Sequence, residues 1–174
     1  MKPKLVVIIF SLFLFSCSAN NQSSDTKNAG LSINGTWRLL QGTLIEKGDT
    51  TITDYTKNVS FIKIINDSHF AFLQHDLQKG KDSASAVFVA GGGRYSLKDS
   101  TYTEHLEYCS AREWEGHDFP FTITIKNDTL TQTGIEKVES AGVNRLNIEK
   151  YVRMKMTSAA LARFHRMPSL YVSR

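Results

Sequence analysis

The chain has 174 residues, with 21 basic side chains against 17 acidic ones, 41% hydrophobic residues and 2 cysteines. That length suits one domain of about 100–150 residues rather than two. The near-balance of charge, with no basic run interleaved with aromatics, gives no footprint for a nucleic-acid partner.

Residues 1–16 run from a basic start, Lys2 and Lys4, through the apolar stretch Leu5–Phe15 to the small residue Ser16. That order reads as a secretion signal, and the apolar run is shorter than the ~20 residues a bilayer-spanning helix needs. Leu14-Phe15-Ser16-Cys17 resembles the lipobox of bacterial lipoproteins, with Phe15 larger than the residue usual there. The resemblance implies cleavage before Cys17, acyl chains such as palmitate on that cysteine, and a membrane-anchored place in the bacterial cell envelope, periplasmic or surface-exposed. The alternative is an ordinary cleaved signal followed by a chance cysteine. Residues 17–30 contain the polar stretch Asn20–Gly30, which reads as a solvated tether, so the folded unit is expected over 31–156. Loss of Lys2 and Lys4 with the signal leaves 19 basic against 17 acidic residues. With Cys17 modified, Cys109 has no partner for an internal disulfide. It reads as a small packed side chain before it reads as a reactive nucleophile.

Strands are predicted near Thr36–Ile45, Val59–Ile65, His69–Leu77, Ala86–Leu97, Tyr102–Glu113, Phe121–Lys126, Thr129–Glu136 and Arg145–Met154, from β-rich runs punctuated by short polar turns. The chain's 3 prolines all fall outside these runs. About eight sequential strands and no long helix predict an all-β, up-and-down antiparallel β-barrel, whose closure removes exposed edges. A homodimer through an open barrel edge is the alternative way to cover one.

Two-residue turns fix which side chains share a face. A turn at Asp99-Ser100 places Leu97 opposite Tyr102 and Tyr95 opposite Glu104, and groups Tyr95, Leu97, Tyr102, Glu104, Leu106 and Tyr108 on an interior row. A turn at Asn127-Asp128 pairs Ile125 with Leu130, Ile123 with Gln132 and Phe121 with Gly134. One at Asp67-Ser68 pairs Ile65 with Phe70, Lys63 with Phe72 and Phe61 with Gln74, with Ile62, Ile64, Ala71 and Leu73 forming a second apolar face. In that last hairpin both faces are apolar, so the pattern alone does not choose the interior; Glu104 and Gln132 thus fall on otherwise apolar rows, and Lys63 joins them if its face is the inner one. A carboxylate there must be paired, hydrogen-bonded, protonated or wet, and Lys63 is the expected partner of Glu104. Such a network is either a register-fixing structural feature or the polar end of a ligand cavity.

Gly35-Thr36-Trp37 at the start of the first strand resembles the G-x-W signature of lipocalins and related calycin barrels. The ordered series through Lys63-Ile64-Ile65, His69–Phe72, Gly91–Tyr95, Thr101–Tyr108, Phe119-Pro120-Phe121 and Asp128–Gly134 resembles bacterial lipocalin-like lipoproteins over roughly residues 33–155. The resemblance implies a small barrel with a central cavity, and a plug in which Trp37 packs against an arginine near the last strand, Arg153 here. It names no ligand.

Residues 157–174 are expected to form a short helix, Thr157–Met167, ended by Pro168 and followed by a short strand, or else a frayed basic tail. No metal-ligand spacing, G-x-S-x-G elbow or phosphate-cradling loop is present, so no metal or cofactor is expected. Gly91-Gly92-Gly93 inside a strand predicts a bulge or sharp bend.

The first functional expectation is a binding module for a small hydrophobic or amphipathic ligand. Its apolar body would lie against Phe61, Phe72, Tyr95, Tyr102, Tyr108 and Phe121, and its polar end would meet Lys63, Glu104 and Gln132. A structural or interaction lipoprotein with a filled core is the runner-up. An enzyme using Glu104 as general acid or base ranks third.

Overall fold

A computed structural model describes residues 32–155. The expectations for the signal, the lipobox Cys17, the tether and the C-terminal helix or tail concern residues outside that range. Nine strands follow one another: β1 (Gly35–Glu46), β2 (Asp49–Asp54), β3 (Val59–Ile65), β4 (His69–Asp76), β5 (Phe88–Lys98), β6 (Thr101–Cys109), β7 (Asp118–Lys126), β8 (Thr129–Val138) and β9 (Val143–Arg153). In the sheet the strands run in the order β2-β1-β3-β4-β5-β6-β7-β8-β9, each antiparallel to the next, and β1 also pairs with β9, which closes the sheet. The protein is an up-and-down β-barrel.

The ring has eight positions because β2 and β3 share one. Gln41–Glu46 of β1 pairs with β2, whereas Gly35–Arg38 pairs with β3, so the two short strands lie end to end beside β1. Every residue of β2 is exposed. With neither face buried, its sequence has no apolar alternation to announce a strand, and the sequence reading missed it. The segment after Cys109, expected to continue β6 to Glu113, instead leaves the sheet in a 3-10 turn at Arg112–Trp114.

The tight turns set register as their sequences predict. Asn127 and Asp128 both adopt positive φ, 49° and 59°, as a two-residue type I′ hairpin turn requires. The pairs Leu97 with Tyr102, Tyr95 with Glu104, Lys63 with Phe72 and Ile123 with Gln132 all form.

One register breaks, and it corrects the placement of Tyr108. Gly92 pairs with Tyr108 but Gly93 pairs with Leu106, leaving Glu107 as an extra residue in β6. A bulge of this kind swaps the faces beyond it. Tyr108 therefore turns outward and is 68% exposed, while Cys109 turns inward. The glycine run permits this close approach: a Cβ on Gly93 would lie 2.0 Å from the His105 carbonyl oxygen, and one on Gly91 2.4 Å from the Phe72 ring.

The core divides the barrel into a closed end and an open end. At the closed end the Trp37 indole N–H donates to the Ile33 carbonyl at 2.7 Å. The Arg153 guanidinium lies over the Trp37 ring, 4.0 Å from its centroid, and donates to the Ser32 and Asn34 carbonyls. The Tyr95 hydroxyl donates to the Asn66 carbonyl at 2.8 Å. The plug expected from Trp37 and Arg153 is thus present. At the other end lie the β1–β2 turn and the longer loops 77–87, 110–117 and 139–142.

Candidate functional site

Above the plug the barrel encloses a cavity of about 330 Å3. Its wall is largely aromatic, with Phe61, Phe72, Phe119, Phe121, Tyr55 and Trp114, and Leu44, Val89, Leu106, Cys109 and Ala111 complete the apolar lining. The rings interlock: Phe61 stacks on Phe72 with centroids 5.9 Å apart, and Tyr55 meets Phe61 edge to face at 5.9 Å.

The floor is polar. The Lys63 ammonium (β3) donates to Glu104 Oε1 (β6) at 2.6 Å and to Gln132 Oε1 (β8) at 3.2 Å. Glu149 (β9), directly opposite Gln132 in the sheet, brings Oε2 to 3.8 Å from the same ammonium and accepts the Tyr151 hydroxyl at 2.8 Å. The ammonium also faces the rings of Tyr151 and Phe70, at 5.3 and 5.9 Å from their centroids. Nearer the open end, Glu136 (β8) accepts Arg145 Nε and Asn147 Nδ2, each at 2.7 Å. Arg145 stacks over Trp114 at 5.4 Å.

Burial and charge oppose one another here. Burial disfavours the charged form of Lys63, yet Glu104 and Glu149 outweigh it and hold its pKa above the ordinary lysine value. Burial pushes Glu104 up from the ordinary carboxylate range, against the pull of Lys63. Glu136 is raised for the same first reason, with Arg145 opposing. Burial and the Glu149 charge raise the Tyr151 hydroxyl.

The structure brings Lys63, Glu104, Gln132, Phe72 and Phe121 together in this cavity, as expected. Tyr95 and Tyr102 share the interior row with them but belong to the plug below. The Tyr102 ring is packed against Tyr95 and Phe70, with centroids 5.2 and 6.4 Å away. Its hydroxyl is buried, which is the main reason its pKa is raised, with the nearby Glu104 charge second; it faces Glu104 without meeting the geometry of a full hydrogen bond to any described residue. Tyr108 lies outside the barrel, for the reason given above. Cys109 is buried and lines the cavity.

The sequence reading missed the residues that complete the polar floor: Glu136, Arg145, Asn147, Glu149 and Tyr151. They alternate on β8 and β9, so the signal was an inward row. It was polar enough to pass for a solvent face, and the loop between these strands was too long to set register by a two-residue turn. Among the described residues, no group of three or more His, Cys, Asp or Glu side chains is placed to hold a metal ion.

Searches against protein-family models and curated proteins returned no match for this chain.

Proposed function

We propose that the protein is a binding module that holds a small, partly apolar molecule in the barrel. The observation that carries this reading is the cavity itself. It has about 330 Å3 of space, largely aromatic walls and a limited set of polar groups on its floor and along β8–β9, the composition of a ligand pocket rather than of a filled core. The ligand's apolar body lies against Phe61, Phe72, Phe119 and Phe121, and its polar end points to the floor.

The sequence of residues 1–17 supports the further reading that this barrel is a lipocalin-like lipoprotein. Cleavage before Cys17 and its acylation would tether the barrel to a membrane of the bacterial envelope. An acyl mass on an N-terminal Cys17 peptide from membrane fractions is the expected result. An unacylated mature chain in the soluble fraction would remove the anchor while leaving the binding module.

Binding itself is tested by native mass spectrometry of protein purified from cells, followed by denaturing extraction of whatever it retains. A retained small molecule that is lost in Ala111→Trp, which fills the cavity's open end, is the expected result. A clean apo mass, together with failure to take up any of a panel of apolar probes, would favour the interaction reading. One observation supports that alternative: Ile64, Leu73, Phe88 and Tyr108 are exposed on β3–β6 among the described residues.

A further inference from the structure

The cavity is lined by three carboxylates, Glu104, Glu136 and Glu149, against two cations, Lys63 and Arg145. Two of the carboxylates have a cation each: Glu104 meets Lys63 at 2.6 Å, and Glu136 meets Arg145 at 2.7 Å. Glu149 is the surplus one. It shares Lys63 only at 3.8 Å, and its one close donor among the described residues is the neutral Tyr151 hydroxyl. One ammonium cannot neutralise two carboxylates, and an uncompensated charge in a largely apolar enclosure is costly.

We propose that Glu149 receives the cationic head of the ligand, so that the cavity selects amphipathic amines over acids and neutral molecules of the same size. This rests on the cavity-binding reading and names its ligand class. The Glu149 side chain is 15% exposed and borders the cavity, so an ammonium entering there reaches it without breaking the Lys63–Glu104 pair. The aromatic wall favours the same sign of charge, because ring faces attract cations. An anionic head has no comparable place. Arg145 is already engaged by Glu136 and Trp114, Lys63 is engaged by Glu104 and Gln132, and an incoming acid would add a fourth negative charge.

The test is calorimetric titration of the full chain at neutral pH with three probes that share one tail: octylamine, 1-octanol and octanoate. Each has roughly ten non-hydrogen atoms, which suits the cavity if a water-sized group takes about 30 Å3. Octylamine is expected to bind at least about tenfold more tightly than octanol, a difference of about 1.4 kcal/mol, with octanoate weakest. In Glu149→Gln the amine should fall to within about threefold of octanol, with an unchanged circular dichroism spectrum and retained octanol binding reporting that the barrel and its cavity still form. Octanoate binding as tightly as the amine, or a preference that survives Glu149→Gln, overturns the proposal. Equal binding of all three overturns it and leaves the cavity-binding reading standing, whereas binding of none overturns both. Should the variant fail to fold, the ranking of the three probes on the wild-type chain decides.

Discussion

Lys63 and Glu104 meet at 2.6 Å across the interior of the barrel, from strands β3 and β6 that share no hydrogen bonds with each other. The pair joins two walls of the cavity and is almost wholly removed from water, so its two halves are not separately dispensable. Lys63→Met is expected to destabilise the protein by about 3–5 kcal/mol, because it strands Glu104 and Glu149 without their shared cation. The double variant Lys63→Met, Glu104→Leu should recover a substantial part of that loss. Urea unfolding of the two variants checks this, and a double variant no more stable than the single would show that the pair is not the source of the cost.

Glu136 gives the protein a pH dependence of opposite sign to that of ordinary surface carboxylates. Burial raises its folded-state pKa above the ordinary 4.5, so the native state holds its proton more tightly than the unfolded chain does. That contribution is fully present below the unfolded value and is lost as pH rises through the folded one. Relative to Glu136→Gln, the wild type should therefore gain stability as pH falls from 7 towards 5. Urea midpoints of both proteins at the two pH values test it. An unchanged difference between them would place the carboxylate's titration elsewhere. Below about pH 4 both proteins lose stability together, as Asp76, Glu107 and Asp128, whose pKa values are lowered by hydrogen bonds or ion pairs, take up protons, and the difference between the two proteins levels off.

Arg153 ties the closed end together through its planar guanidinium, which covers Trp37 while donating to the carbonyls of Ser32 and Asn34. A lysine cannot reproduce both the stacking and the forked donation. Arg153→Lys is expected to cost about 1–2 kcal/mol, the scale of a lost stacking contact and one hydrogen bond. Trp37→Ala should cost about 3–5 kcal/mol, since it empties the base of the core. Thermal denaturation resolves both, and equal losses for the two would contradict the roles assigned.

The Tyr102 hydroxyl is buried beside Glu104 without a hydrogen bond of full geometry to any described residue, so it contributes little to stability as placed. Tyr102→Phe keeps the ring's packing against Tyr95 and Phe70 and deletes the hydroxyl. Its stability should be unchanged or higher by up to about 1 kcal/mol. A loss larger than that, measured by denaturant unfolding, would mean that the hydroxyl does hydrogen-bond to Glu104.

Much of the barrel was legible because its turns are short and its interior rows are apolar. Asn127-Asp128 and Asp99-Ser100 admit few registers, and each register shift by one residue would have put an aromatic row into water. The same logic put Glu104 inside, and the need to pair its charge pointed to Lys63, 41 residues away in sequence. It failed at Tyr108, because the face of a strand is a cumulative count, and the bulge at Glu107 adds one to it.

The sequence by itself determined the fold class, the register of its tight hairpins, the Trp37–Arg153 plug and three members of the polar floor. The fold class, the hairpin registers, Glu104 and Gln132 follow from local turn chemistry and alternation with period two, whereas the plug was an expectation from the resemblance to lipocalins and the face of Lys63 was left open by two apolar rows. The tertiary structure decided what those patterns leave open. Closure of β1 onto β9 and the longer β8–β9 connection turned the polar row Arg145, Asn147, Glu149 inward, and with it set the balance of charge in the cavity. Whether the interior is filled or hollow depends on how side chains from eight strand positions meet across the barrel. That distance belongs to no single segment of the chain.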